Sequence, residues 1–412
     1  MPAAGRRFSP DVTEVHRGLL PYVLRIPSPQ LCESVATLNE RKGRWEGTVE
    51  SGETQWRVGR KASAADADRR RLTAAPGGTV TSRPIARRLT WMDVPTPTAP
   101  FAPGSVSIRL YPHGDLSAGA IVRELCTQAG TTLRAGFDGV MTSEHHGGFA
   151  GYLAQPLQIA TFILEENRSG WAAASPLLLP LRATTLVAEE VAWLNARHPG
   201  RVGLGVAAGA LPLDFEVAGL DPADAVPRFK LELPRLVAML RGEDLGPVAG
   251  DPALQACSVD PVPVLSAAVS VTAATRAAGC GAGILLEGMS GVDRLARLCE
   301  AFDAAGGTGS KVLIRRVWLG DVPAELVRRQ RAVYDSYSNA TAGFGDDQTI
   351  ASTDPAEVAE RLAEVAEASG VDALNLRVQL PGMAPEAVRA QIEALGAEVL
   401  GRLKGLWRGH RP

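Results

Sequence analysis

The sequence predicts an α/β fold: a parallel (β/α)8 TIM-type barrel with a poorly structured N-terminal extension. Three observations carry that reading. Eight short apolar runs lie between residues 105 and 378, each is followed by a stretch of helical period, and the breaks between them carry Gly and Pro. Apolar residues at i, i+3 and i+4 mark an amphipathic helix, whereas short apolar runs bounded by turn residues mark buried strands. Parallel neighbours need long crossovers, which helices supply. An open doubly wound sheet is the alternative reading of the same alternation.

The first run is Ser105–Tyr111. Ile121, Leu125, Ala129 and Leu133 then share a helical face that stops at Gly136. Val140–His146 is the second run. Pro156 opens the next helix at its favoured first position, and Gly170 ends it. Trp171–Leu179 is the third run, with a helix over Ala183–Arg197. Val202–Ala207 is the fourth, with a helix around Arg228–Leu240. Gly242–Pro261 shows no period and reads as a long loop. Val262–Ala267 is the fifth run, and Ser270 caps the helix after it. Ala282–Glu287 and Val312–Leu319 are the sixth and seventh. An irregular stretch, Ser338–Ser352, precedes a helix over Asp354–Ala368. Ala373–Val378 is the eighth run and Pro385–Leu403 the closing helix.

Length and charge divide the chain. A single barrel takes roughly 250 residues, so 412 residues leave room for an extension. We read residues 1–104 as a basic extension and linker, and 105–412 as the barrel. Residues 1–91 hold 16 Lys/Arg against 9 Asp/Glu, while the remainder holds 27 against 36. Such asymmetry can mark a nucleic-acid or membrane arm. The absence of a sustained period and the richness in Ala, Arg, Ser and Thr point instead to a largely disordered segment. Trp45–Val58 is a candidate hairpin within it. Met92, just before a Pro/Thr linker, is a candidate alternative start. Five scattered cysteines without a C-x-x-C pair argue against a disulfide framework and a zinc site. With no apolar run of about 18 residues and no secretory signal, the expected home is the cytoplasm, with neither membrane nor nucleic acid as partner.

Four segments resemble the luciferase-like flavin-dependent oxidoreductases. They are Gly136-Phe137-Asp138-Gly139-Val140 running into Ser143-Glu144-His145-His146-Gly147; Leu178-Leu179-Pro180-Leu181-Arg182 with Val187–Leu194; Gly200–Val206 continuing to Asp214-Phe215-Glu216; and Ser270-Val271-Thr272-Ala273 with Arg276-Ala277-Ala278. The resemblance implies a barrel that binds reduced FMN or the deazaflavin coenzyme F420. It also implies monooxygenation or hydride transfer on a small organic substrate, with a separate reductase as possible partner and a homodimer as possible assembly.

Barrel active sites lie at the carboxyl ends of the strands, where His145 and His146 fall. Neighbouring strand residues point to opposite faces, so one histidine faces the mouth and the other the helix layer. The resemblance favours His145 as the catalytic one, and an imidazole moves protons near neutral pH. The plain alternative is two structural histidines. No metal ligand is assigned. Glu144 is placed with the cofactor-contacting residues, its carboxylate expected to pair with a buried donor.

The resemblance implies a cis peptide facing the flavin in the third strand. The matching bond here is Ser175–Pro176, where the cis form costs only about 0.5–1 kcal/mol, so it is expected to be cis. A trans proline at a bulge is the alternative. Ser270 and Thr272 fall at a helix start that can hold the cofactor phosphate, or Ser270 is an ordinary cap. Ala208 stands where relatives often carry an arginine that grips the phosphate, and Arg182 is a candidate substitute. Asp214 reads as a helix cap, and Phe215 as a core or pocket residue. Gly203–Gly209 departs from the dinucleotide fingerprint, and Gly306–Lys311 departs from a P-loop. Arg315, Arg316 and Trp318 in the seventh strand, with Arg377 and Gln379 in the eighth, are unusual for a packed interior, so at least one is expected at the mouth. The loops Gly242–Pro261 and Ser338–Ser352 are expected to cover the substrate. A non-catalytic flavin-binding protein and a metal-dependent barrel hydrolase are the rival functions.

Overall fold

The structure is a computed structural model. It describes residues 98–149, 151–336 and 348–409, and the backbone of four strands between residues 22 and 59. The chain divides into two units, Met1–Thr90 and Trp91–Pro412. In the first, Tyr22–Ile26, Ser34–Arg41, Arg44–Ser51 and Thr54–Gly59 pair antiparallel in sequence order. The last two make the hairpin read over Trp45–Val58, and the first two extend it. Met92 lies outside the described residues.

In the second unit, period-2 alternation separates an inner from an outer face on eight strands. These are β1 (Val106–Arg109), β2 (Gly139–Thr142), β3 (Trp171–Leu178), β4 (Val202–Ala207), β5 (Val264–Ala267), β6 (Gly283–Leu286), β7 (Lys311–Leu319) and β8 (Ala373–Arg377). All neighbours pair in parallel, in the order β6-β5-β4-β3-β2-β1-β8-β7, and β7 returns to β6. The sheet is therefore a closed TIM barrel, which excludes the open doubly wound alternative.

The helices are α1 (Ala118–Arg134), α2 (Pro156–Glu166), α3 (Thr184–Arg197), α4 (Pro212–Ala218), α5 (Ala225–Met239), α6 (Pro252–Ala256), α7 (Val271–Gly279), α8 (Val292–Ala304), α9 (Ala324–Ser336), α10 (Pro355–Ser369) and α11 (Pro385–Ala394). Outward strand residues such as Ile108, Val140 and Leu376 pack with Leu125, Ile163 and Val388 of the helix layer. The closing run continues past α11 through wider turns over Leu395–Leu400 to Gly401–Leu406.

Large rings close the floor of the barrel. Trp171 and Phe101 meet edge to face at 5.2 Å, and both are buried. Glycines make the room: a Cβ on Gly139 would stand 2.1 Å from the Trp171 ring, and one on Gly203 would stand 2.6 Å from Phe101. Phe101 belongs to the segment read from sequence as linker, yet it is part of this inner core.

One expectation is corrected. Gly242–Pro261 runs from the end of α5 to the start of β5, so it sits at the amino ends of the strands, opposite the mouth. It is also not structureless. Asp251 caps α6 through the N–H groups of Ala253 and Leu254, and Leu254 and Cys257 are buried. Trp193 and Asn195 of α3 bond to Asp251 and Asp260 and hold the loop down. Of Ser338–Ser352, residues 338–347 lie outside the described residues. Ile350–Ser352 forms a short strand beside Val317–Leu319 of β7.

Candidate active site

A cavity of about 390 Å³ opens at the carboxyl ends of the strands, and all eight strands or the turns after them contribute to it. Small-molecule sites span roughly 300–1,000 Å³. One flank is lined by the small residues Ala207, Ala208, Gly209 and Ala267. The opposite flank carries Arg109, Arg316 and Arg377 with Tyr111.

His145 lines this cavity and is one-fifth exposed. Its Nδ1 lies 2.8 Å from Oδ2 of Asp214, a fully buried carboxylate. Asp214 accepts, so Nδ1 of the neutral ring carries the hydrogen and Nε2 keeps a lone pair. The other oxygen, Oδ1, accepts the backbone N–H of His146 at 2.7 Å. One acid therefore fixes both the ring and the chain that carries it. Phe149 and Tyr152 pack on the ring at 5.0 and 4.6 Å.

His146 points the other way, into a smaller cavity shared with Gln155, Arg182 and Asp214. Its Nε2 meets Glu144 Oε1 at 3.0 Å. Glu144 is buried, and it also accepts from the Arg182 guanidinium and the Leu178 N–H. This carboxylate is engaged by three protein donors that tie β2 to β3. Although Glu144 lines the mouth, its carboxyl group serves this structural junction. Arg182 is occupied in the same way, so it does not stand in for the missing basic side chain at Ala208.

The Ser175–Pro176 bond is cis. The register between β3 and β4 shifts between Ala174 and Leu177, and Pro176 lines the cavity. Ser175 turns away: it is buried against Gly205, where a Cβ would stand 2.0 Å from its hydroxyl. Ala208 lies on the cavity wall, beside Gly209 with φ +84°. Ser270 caps α7 by accepting the Ala273 N–H at 3.3 Å. Ser270 and Thr272 are exposed, and neither lines the cavity; Val269, just before them, does. The sequence-derived residues thus divide. His145, Glu144, Pro176 and Ala208 meet at the mouth, Ser175 lies behind it, and Ser270 and Thr272 lie outside it.

The model of luciferase-like monooxygenases matches residues 105–396. The chain belongs to that family. The barrel is similar to monooxygenase RslO1 from Streptomyces bottropensis, with a TM-score of 0.60 and 20% identity over 72% of this chain and 99% of that one. It is also similar to the FMN-bound oxygenating constituent of 3,6-diketocamphane monooxygenase from Pseudomonas putida, with a TM-score of 0.58 and 17% identity over 73% and 98%. At such identities these likenesses speak for the fold alone. A 4-hydroxyprotoasukamycin monooxygenase from Streptomyces nodosus subsp. asukaensis is 28% identical over 109 residues, 26% of this chain and 29% of that protein. The chain spans less than half the length of the curated relatives it matches, 29% of one and 43% of the other.

In this member of the luciferase-like family, the role of Asp214 differs from the helix cap its sequence position suggests. The cap of α4 is Leu211, and Asp214 sits in the first helical turn with its carboxylate directed to the histidines. A signal was available: an acid between Leu213 and Phe215 that a helix would bury. Arg316 and Arg377 do reach the mouth. Arg315 alternates outward and donates to the carbonyls of Gly288 and Ser290 after β6. Phe215 is buried in contact range of Gly209. Among the described residues, no group of three or more His, Cys, Asp or Glu is placed to hold a metal, and no helix is long and apolar enough to cross a membrane.

Proposed function

We propose that this protein is a flavin- or deazaflavin-dependent oxidoreductase of a small organic substrate, using reduced FMN or coenzyme F420. The observation that carries the reading is the His145–Asp214 pair opening onto the mouth cavity of a family barrel. Relatives of the same fold are described with FMN and with F420.

The residues suit a planar ring. The flank of alanines and glycine offers a flat wall without bulky side chains. Ser143, on the cavity, has a buried hydroxyl with no hydrogen-bond partner among the described residues, and a polar ring edge would satisfy it. When bound, such a cofactor supplies hydride or reducing electrons. Pro176 and the small-residue flank would hold its ring. His145 holds or accepts a proton at Nε2, while Asp214 keeps the ring turned to the cavity. A separate reductase is a natural source of the reduced cofactor.

The test is direct. Purified protein is titrated with FMN, reduced FMN and F420, and cofactor oxidation is followed with candidate substrates. Saturable binding of one of them, with oxidation lost in folded His145→Ala protein, supports the reading. Failure of all three to bind overturns it. Ala208, which adds no charge at the mouth, favours one second reading, a non-catalytic flavin-binding protein. That reading requires binding without oxidation by any donor or acceptor.

A further inference from the structure

We propose that the floor of the barrel holds a second ligand site, which takes the phosphate group of a small phosphorylated molecule. The site lies at the opposite end from the mouth, so it stands apart from the flavin reading. A cavity of about 270 Å³ opens at the amino ends of β5, β6 and β7. Arg241, just past α5, lines it together with Gly281 and Gly283 at the start of β6 and Thr308, Gly309 and Ser310 before β7. The segment 261–265 supplies an apolar wall. Arg241 is the one charged residue on this lining, and no carboxylate stands on it. The amino end of a barrel ordinarily carries packing and stability alone. A lone guanidinium on an otherwise uncharged cavity is nothing that packing requires.

The guanidinium is held in place and keeps free donors. Gly281 has a φ of +75°, and a Cβ on it would stand 2.5 Å from Nη1 and 2.6 Å from Nη2 of Arg241. The guanidinium therefore occupies the space that a side chain would fill. Its Nη2 donates to the Gly281 carbonyl at 2.6 Å. Among the described residues that is its one hydrogen bond, and it makes no ion pair. A neutral carbonyl leaves the charge in place, and one bond leaves most of the guanidinium fork open. The acids that adjoin the lining are directed elsewhere. Asp303 holds Lys311 Nζ at 2.8 Å, Asp372 accepts the Lys311 N–H, and Asp260 accepts from Asn195 and the Gly200 N–H. Glu243 and Asp244, next along the chain from Arg241, are exposed and form no ion pair with it.

The glycine-rich segment Gly306–Lys311 supplies the rest. It is no P-loop, because Lys311 turns to Asp303. Among the described residues, no hydrogen bond takes the N–H groups of Thr308, Gly309 and Ser310 or the two hydroxyls. A guanidinium beside hydroxyls and unpaired turn N–H groups is a donor set for a phosphate. Such donors come from several directions and suit a tetrahedral anion better than a planar carboxylate. The cavity has room beyond a phosphate, and the apolar wall at 261–265 can take the organic body of the ligand.

Inorganic phosphate, glycerol 3-phosphate, acetate and glycerol are titrated calorimetrically into full-length protein. Hydrogen exchange over peptides covering residues 306–311 locates the bound anion. The proposal expects both phosphates to bind at least about tenfold more tightly than acetate or glycerol, and exchange at residues 308–310 to slow when phosphate is added. Arg241→Gln should weaken phosphate at least about tenfold, the loss of a charged donor. Arg241→Lys, which keeps the charge and loses the fork, should lose less. Thr308→Val and Ser310→Ala each remove one hydroxyl and should weaken phosphate by about two- to tenfold. Melting curves check folding, and these two variants decide the matter if Arg241→Gln does not fold. Absence of phosphate binding, or acetate binding as tightly as phosphate, overturns the proposal. So does phosphate affinity unchanged in the folded variants, or protection confined to peptides of the mouth, because the anion then sits elsewhere. None of the probes is a flavin, so failure of the proposed function leaves this test intact.

Discussion

His145 and His146 are adjacent, both imidazoles, and each meets a buried carboxylate, yet their surroundings assign them different work. Asp214 holds Nδ1 of His145 and leaves Nε2 on the cavity, whereas Glu144 holds Nε2 of His146 together with Arg182 and the Leu178 N–H. His145→Ala should therefore reduce turnover by about 10²–10⁴, the range for a lost proton-transfer group, and should also lower the melting temperature, because the buried Asp214 carboxylate loses its side-chain partner. Asp214→Asn should cost activity through the ring's tautomer and orientation. The double variant should be little worse than His145→Ala alone, because residues acting as a unit are not additive. Steady-state kinetics on the four proteins measures this. Glu144→Ala is a stability change instead. Removing one partner of a buried charged cluster costs about 3–5 kcal/mol, so denaturant melts should shift strongly, and Glu144→Gln should recover part of the loss.

At the level of elements, glycines in β2 and β4 make room for the rings of the barrel floor. Gly139→Ala would push a Cβ to within 2.1 Å of Trp171. Overpacking of this kind costs about 1–3 kcal/mol or more, and thermal melting of that variant should show it. Gly250→Ala, with nothing within 4 Å of the new Cβ, should melt close to the parent protein. The Gly242–Pro261 connection makes a complementary point. A helix-to-strand loop returns to the amino end of the next strand, so no substitution on its outer surface reaches the chemistry. Val259→Ser, at an 88% exposed position, should leave KM and kcat unchanged. The order and type of the eight strands and the long helices follow from local strand and helix periods, whereas boundaries shift: the run read to His146 ends as a strand at Thr142. The short helices α4 and α6 are not legible in that period; α6, five residues long, is stabilised by an Asp251 cap and tertiary burial.

Across the whole molecule, the four cysteines among the described residues are all free. Burial pushes Cys126 and Cys299 up to about 12 and Cys257 up to about 11, and raises Cys280 as well. Thiols that titrate higher in the folded than in the unfolded chain favour folding less as pH rises above the ordinary thiol value of 9.0. At pH 8 these four should resist thiol reagents in the native protein and react quickly in denaturant, as peptide mapping after labelling would show. The alternation of eight strands with helices and the histidines at a strand end could be read in the sequence, because each is a matter of residue type and neighbours along the chain; the cis Ser175–Pro176 bond is implied by the family resemblance. Only the closed barrel decided which distant side chains meet. It brought Asp214 from α4 onto His145 across 69 positions, aligned Arg109 with Arg377 and Arg316 by strand register, and moved the Gly242–Pro261 loop away from the mouth. Such meetings depend on register and closure, which are set by packing over the entire sheet and leave no local mark in the sequence.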